Sequence, residues 1–273
     1  MDAGTLALLA LAGAAGGILV GLVGVGGGIV YAPVLLYTYA ALGVDARVLA
    51  PLTVGSSLFC VGLAASSGVL AHRKSGLIRW RTALISGAVA AAVLALVGRL
   101  ITTQSWYDRQ VFAVVFSCVL LVVAAQMALR RERPEGSGGP ERHSTGALAL
   151  TGVGAGALAA LAGVGGGFVL VPLYHGFLRF PTKAATATST AAIVLIAAAG
   201  VVTYGVLGQG AAVPAGAVGY VDFVRPLALA FPAMATAPLG VWIARRVPVR
   251  AVRLTFAAIV AVTAVRLLWD ALR

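Results

Sequence analysis

The sequence predicts an all-α polytopic membrane protein made of two inverted repeats, each a glycine-broken helical hairpin followed by three spanning helices. Three observations carry this expectation: an apolar composition, a duplicated glycine pentapeptide, and a lopsided distribution of basic residues between the apolar runs. The chain has 273 residues, 60% of them hydrophobic, with 20 Lys+Arg and 8 Asp+Glu. Its mean hydropathy is +1.01. A charged share of 10%, against about 25% in soluble domains, is too small to cover a soluble core of this size. The apolar runs are near the roughly 20 residues needed to span hydrocarbon. They do not alternate as membrane strands do.

A net charge of +12 would point to nucleic acid in a soluble protein. Here the cations sit in short clusters between apolar runs, the pattern of cytoplasmic loops beside anionic lipid. The expected surroundings are therefore a lipid bilayer, with no nucleic acid. Cys60 and Cys118 lie in apolar runs without metal or redox spacing and read as packing residues. The first apolar run continues past residue 20 without a cleavage pattern, and Asp2 has the wrong charge for the start of a cleavable signal.

The repeat is explicit. Gly24-Val25-Gly26-Gly27-Gly28 recurs as Gly163-Val164-Gly165-Gly166-Gly167, offset by 139, and Pro33 recurs as Pro172 at the same offset. A small hydroxyl cluster follows in each half, Gly55-Ser56-Ser57 and Ala187-Thr188-Ser189, at an offset of 132. The first half thus carries seven extra residues between the two motifs. The expected units are a first membrane repeat over 1–129, a solvated cytoplasmic linker over 130–145 rich in Gly and Pro, and a second membrane repeat over 146–273. Apolar segments fall at about 5–23, 29–43, 48–71, 82–101 and 109–129, then at about 146–162, 168–179, 184–207, 226–244 and 251–270.

Residues 5–43 as one straight helix would be about 58 Å long, too long for one crossing, so the chain breaks at the glycines. If each broken pair crossed once, the basic residues would divide 11 to 9, which distinguishes nothing. If each pair is a hairpin returning to its own side, they divide 14 to 6, with Arg73, Lys74, Arg79, Arg81, the linker arginines, Arg179, Lys183 and Arg245 to Arg253 together. That asymmetry is the one expected of cytoplasmic loops. Five segments per half invert the repeats relative to each other and put both termini outside.

Inverted repeats with broken helices near the midplane are a transporter plan, with the site at the repeat interface. A helix starting at Gly27 or Gly28 presents unpaired N–H groups and the positive end of its dipole to a small anion. Gly24, Gly26, Gly27 and Gly28, with Gly163, Gly165, Gly166 and Gly167, are the candidate backbone contacts. The competing reading of the same glycines is close helix packing. Ser56, Ser57, Thr188 and Ser189 are candidate hydroxyl donors to an oxyanion, against the alternative of bonding to their own or a neighbouring helix. His72 reads as a loop residue, His143 as part of the linker, and His175 as a weaker candidate proton carrier. Asp45, Asp108 and Asp222 flank spans, so no acid lies clearly within the membrane. No lysine follows the glycines as in a nucleotide loop, and no metal-ligand spacing or Ser/His/Asp set is present. No cofactor, metal or enzymatic activity is expected.

At these residues the chain resembles the sulfite exporter TauE/SafE family of membrane transporters. The resemblance rests on the duplicated Gly-x-Gly-Gly-Gly, Pro33 and Pro172, the downstream hydroxyl steps, and the Arg-rich stretch from Arg245 to Arg253. Where the family pattern has Thr-Ser, the first half has Ser56-Ser57. The resemblance implies a multi-pass permease of a cell inner membrane that exports a small sulfur-containing anion, sulfite or an organosulfonate. A permease for thiosulfate or a carboxylate, or an anion channel, is the alternative. A homo-oligomer is compatible with this composition.

Overall fold

Wherever an apolar run is free of glycine clusters it becomes a helix, and the glycine pentapeptides separate the first two helices of each half. The computed structural model describes residues 3–23, 26–73, 75–102, 104, 109–129, 144–244, 246 and 249–272. Among them are ten helices: α1 (Ala3–Val23), α2 (Gly28–Ala41), α3 (Ala46–Arg73), α4 (Trp80–Thr102), α5 (Arg109–Leu129), α6 (Thr145–Ala162), α7 (Gly167–Gly176), α8 (Thr182–Leu207), α9 (Leu227–Ile243) and α10 (Val249–Leu272). By length and composition α1, α3, α4, α6 and α8 can cross a membrane, while α2, α9 and the Gln110–Gln126 part of α5 are shorter apolar helices. The protein is a polytopic helical membrane protein. The expected linker lies outside the described residues except for Ser144 and Thr145.

The broken pairs fold back on themselves. Gly16 of α1 lies against the Tyr31 ring of α2, and in the second copy Gly154 and Ala155 of α6 lie against Val169 and Gly166. The returning helices are short: 14 residues in α2 and 10 in α7, or about 21 and 15 Å, less than the roughly 30 Å of a hydrocarbon core. Pro33 and Pro172 are each the sixth residue of their helix, where they remove a backbone donor. The seven extra residues of the first half lengthen α2 by about a turn and start α3 about a turn earlier relative to the hydroxyl cluster.

Glycines set the directions of packing, because helix backbones approach closely only where side chains are absent. A Cβ on Gly13, Gly17 or Gly21 of α1 would meet the backbone of Leu229, Ala233 or Ala237, so α1 and α9 run parallel in contact. Gly152 and Gly156 of α6, the copies of Gly13 and Gly17, meet the backbone of Ser86 and Ala90 in the same way, so α6 runs parallel to α4. Each first helix therefore packs on the fourth helix of the other half. At the centre, Gly55, Gly62 and Gly68 of α3 face Tyr204, Ala197 and Thr190 of α8. The partner numbers fall as those of α3 rise, so these two equivalent helices are antiparallel. At one end Gln110 Nε2 of α5 donates to the carbonyl of Ala271 in α10 at 2.8 Å, and Tyr37 Oη of α2 donates to Asp270 at 2.7 Å.

One element departs from the expectation of helices alone. The α8–α9 connection contains an antiparallel ribbon, β1 (Ala217–Val218) paired with β2 (Val221–Asp222). It turns back against α3, where Gly55 faces the backbone of Tyr220. Tyr220 N donates to Tyr204 O at 3.0 Å, which closes the ribbon onto the end of α8.

Candidate anion site at the paired glycine tips

The two glycine motifs meet. A Cβ on Gly26 would lie 2.6 Å from the carbonyl oxygen of Val164, and one on Gly28 would lie 2.6 Å from that of Gly163. Gly163 in turn sits against the backbone of Val54 in α3, and Gly165 lies between Val61 of α3 and Ile193 of α8. The tips of the two hairpins thus touch beside the middle of α3 and α8. Gly26 (φ 85°) and Gly163 (φ 66°) are left-handed as well as crowded, so both the turn and the contact exclude a side chain. Gly27 faces its own hairpin, where the Tyr31 ring fills the space of a Cβ; Gly166 faces Ala155. Gly167 is buried at the start of α7, and Gly24 lies outside the described residues.

Both returning helices begin at this contact. Gly27 and Gly166 are the N-cap residues, and neither helix has a side-chain cap. The first intrahelical bonds run from Val30 and Tyr31 to Gly27 O, and from Val169 and Leu170 to Gly166 O. The N–H groups of Gly28, Ile29, Gly167 and Phe168 precede these bonds and lie at the positive ends of two helix dipoles.

All four hydroxyls have protein partners, and the bond of Ser57 is the one that reaches a tip. Ser57 Oγ donates to Gly163 O at 2.9 Å, from α3 to the tip of the other half. Ser189 Oγ donates to Thr186 O within α8 at 2.9 Å. Ser56 and Thr188 are each reached by the connection before a fourth helix. Asp222 N donates to Ser56 Oγ at 2.9 Å, and Arg79 N donates to Thr188 Oγ1 at 3.0 Å. The repeat thus uses its first hydroxyl twice in one role, holding a connection that has turned inward.

Asp222 differs from the sequence expectation that it only flanks a span. The ribbon carries it inward until it is fully buried. Its Oδ1 accepts from the N–H groups of Val224 at 2.9 Å and Arg225 at 3.3 Å. Its Oδ2 accepts from Tyr39 Oη of α2 at 3.3 Å and from the Arg225 guanidinium at 3.0 Å. No spacing or hydropathy signal near residue 222 announced this; the nearest cue is the Asp222-x-x-Arg225 pair in a glycine-rich connection. Two other residues also sit differently from their reading. His72 is buried in the last turn of α3, at the position equivalent to Tyr204, whose hydroxyl donates to Ala160 O at 2.6 Å. Cys60 is buried as expected of a packing residue, whereas Cys118 is exposed. His175 Nδ1 pairs with the Phe180 carbonyl at 2.9 Å, at the C-terminal side of α7. Among the described residues no three of His, Cys, Asp and Glu converge as a metal site would require.

The chain is similar to proteins described as probable membrane transporters. The family described as "Sulfite exporter TauE/SafE" matches residues 9–267. A probable membrane transporter protein of Methanocaldococcus jannaschii is 27% identical over 257 residues, covering 94% of this chain and 93% of its own. One from Haemophilus influenzae is 26% identical over 261 residues, covering 95% and 97%. The probable membrane transporter protein YunE of Bacillus subtilis is 28% identical over 218 residues, covering 74% and 79%. No solved structure matches the chain. With a family match from α1 into α10, over a fold in which both glycine motifs meet, this chain belongs to the sulfite exporter TauE/SafE family of membrane transporters.

Proposed function

We propose that the protein is a multi-pass permease of a cell inner membrane that exports a small sulfur-containing anion, sulfite or an organosulfonate, by alternating access. The observation that carries this reading is the pair of touching hairpin tips, each the uncapped N-terminus of a short returning helix, beside the middle of α3 and α8. Two converging helix N-termini attract an anion without a fixed buried cation. Release stays easy because no full positive charge has to be left behind.

The repeats in this reading are residues 1–129 and 146–273, inverted, with the linker over 130–145 in the cytoplasm. The antiparallel contact of α3 with its equivalent α8 favours inversion, as does the meeting of the start of α5 with the end of α10. Neither contact suits eight spans in parallel repeats. The short lengths of α2 and α7 favour hairpins that dip to the midplane and return. In this mechanism the tip glycines Gly24, Gly26, Gly27, Gly28, Gly163, Gly165, Gly166 and Gly167 let the backbone approach the anion closely, and the donors are the first-turn N–H groups of Gly28, Ile29, Gly167 and Phe168. Ser57 and Ser189 exchange their present carbonyl partners for the anion when the tips part. Ser56 and Thr188 keep the inward connections in place.

The test is flux of labelled sulfite in proteoliposomes, with thiosulfate, an alkylsulfonate, acetate and chloride as competitors. Saturable sulfite flux inhibited by the sulfonate supports the reading. Flux that stays linear with concentration indicates a channel, and preferential inhibition by acetate or thiosulfate indicates the other anion classes.

A further inference from the structure

Tyr31 is fully buried, yet its hydroxyl has no hydrogen-bond partner among the described residues. Buried polar groups are nearly always paired, and phenylalanine would fill the same volume without the cost of an unpaired hydroxyl. The position of that hydroxyl is informative. A long side chain on a helix leans back toward the N-terminus, so Tyr31 lies over the first turn of α2 and its ring tip reaches Gly27, the N-cap residue. Gly16 of α1 closes the other side, with the hydroxyl 2.8 Å from where its Cβ would be. Two glycines, one on each helix of the hairpin, make room for this one phenol.

The second repeat has dismantled the same arrangement. At the offset of 139, Tyr31 becomes Leu170 and Gly16 becomes Ala155, while Gly27 remains glycine as Gly166. Ala155 occupies the space beside Gly166, and Leu170 is buried with no polar atom to satisfy. Donor and room are thus present together in one copy and missing together in the other. A residue needed only for packing the hairpin would be required equally in both.

We propose that Tyr31 Oη is a specificity-determining donor to the transported oxyanion at the N-terminal end of α2, and that it makes the two tips unequal in affinity. This rests on the anion-permease reading above. The ligand class is a small oxyanion whose oxygens accept one O–H and the first-turn N–H groups together, and the α2 tip holds it more tightly than the α7 tip. Halide, lacking several oxygens to share between these donors, gains little from the phenol.

The experiment uses the purified full chain in detergent, with sulfite, an alkylsulfonate and chloride as probes in equilibrium binding. Tyr31→Phe should remain monodisperse and lose roughly 10-fold or more in sulfite affinity, the scale of one hydrogen bond to a charged group. Weak chloride binding should be unchanged. If the parent chain binds sulfite and Tyr31→Phe binds it equally, the Tyr31 assignment is wrong and the permease reading stands. If the parent binds none of the oxyanions, the permease reading falls and takes this assignment with it. Should Tyr31→Phe fail to fold, Tyr31→3-fluorotyrosine supplies the second measurement. Its fluorine resonance should move on addition of sulfite and stay fixed with chloride; an unmoved resonance at saturating sulfite overturns the proposal.

Discussion

Removing the Asp222 carboxylate should loosen the ribbon from α3, and the structure fixes the size of the effect. The carboxylate accepts four hydrogen bonds, from two backbone N–H groups, the buried Tyr39 hydroxyl and the Arg225 guanidinium. In Asp222→Ala the guanidinium, whose side chain is 19% exposed, turns to water and loses little. The Tyr39 hydroxyl has no such escape, and the two N–H groups are half-buried. Each stranded donor costs about 1–3 kcal/mol when it is fully buried. With a discount for the two part-buried groups, the variant should be about 3 kcal/mol less stable. Asp222→Asn keeps an oxygen for the two N–H groups, and Tyr39 can rotate to meet the amide, so only the ion pair is lost. That change should cost about 1 kcal/mol. Cys60 provides the assay, since its buried thiol lies 3.4 Å from Pro226 O at the end of the ribbon connection. In a Cys118→Ala background, which removes the exposed thiol, labelling of Cys60 by a thiol-reactive fluorophore during heating reports the opening. The order of labelling temperatures should be parent, then Asp222→Asn, then Asp222→Ala lowest. Equal labelling of all three, or equal losses in the Asn and Ala variants, would refute the reasoning.

Three further outcomes are expected. In a background without native cysteines, Ser75→Cys and Ser137→Cys should resist an impermeant thiol reagent on intact cells while Ala3→Cys reacts; external labelling of Ser137→Cys would overturn the inverted topology. Gly210→Ala and Gly163→Ala separate strain from collision, since both glycines are left-handed but only Gly163 has backbone beside it. Gly210→Ala should cost about 1 kcal/mol, and Gly163→Ala should cost more and also reduce flux; thermal unfolding alongside transport measures both. Ser57→Ala removes the hydrogen bond from α3 to the opposite tip and should cost about 1 kcal/mol in stability. It should also weaken sulfite binding, and Ser57→Ala with Ser189→Ala should weaken it further than either change alone.

Helix positions were legible because hydropathy in a membrane chain is nearly a one-dimensional signal. The ten expected segments and the ten helices differ mainly at their ends, and the breaks fall at the glycine pentapeptides as the length argument required. The meeting of the two tips agrees with the duplication, since symmetry brings equivalent motifs together. Two things escaped. The stripe Gly13, Gly17, Gly21 and its copy Gly152, Gly156 have the spacing of a close-packed helix face, but spacing alone does not say which helix lies against it. The inward ribbon is harder to foresee, because a polar, glycine-rich connection of this length reads as solvated. Only the packing of Gly55 and Ser56 against it reveals that Asp222 is inside. Tyr31 shows the same limit: its orphaned hydroxyl is a property of three-dimensional surroundings, and its letter in the sequence is one aromatic among apolar residues.

The crossed pairing of first and fourth helices bears on how the chain is assembled. During synthesis α1 enters the bilayer early, with a bare glycine face whose partner, α9, is made more than 200 residues later. Until then that face can rest only against lipid or a chaperone. α6 is made after α4 and finds its groove waiting. The first half thus offers a template to the second, while the face of its own opening helix that meets α9 stays uncovered until near the end. Assembly of this protein is consequently a closure, in which late association of α9 with α1 locks elements that inserted long before. A chain truncated before α9 should therefore insert normally and still fail to acquire the compact fold.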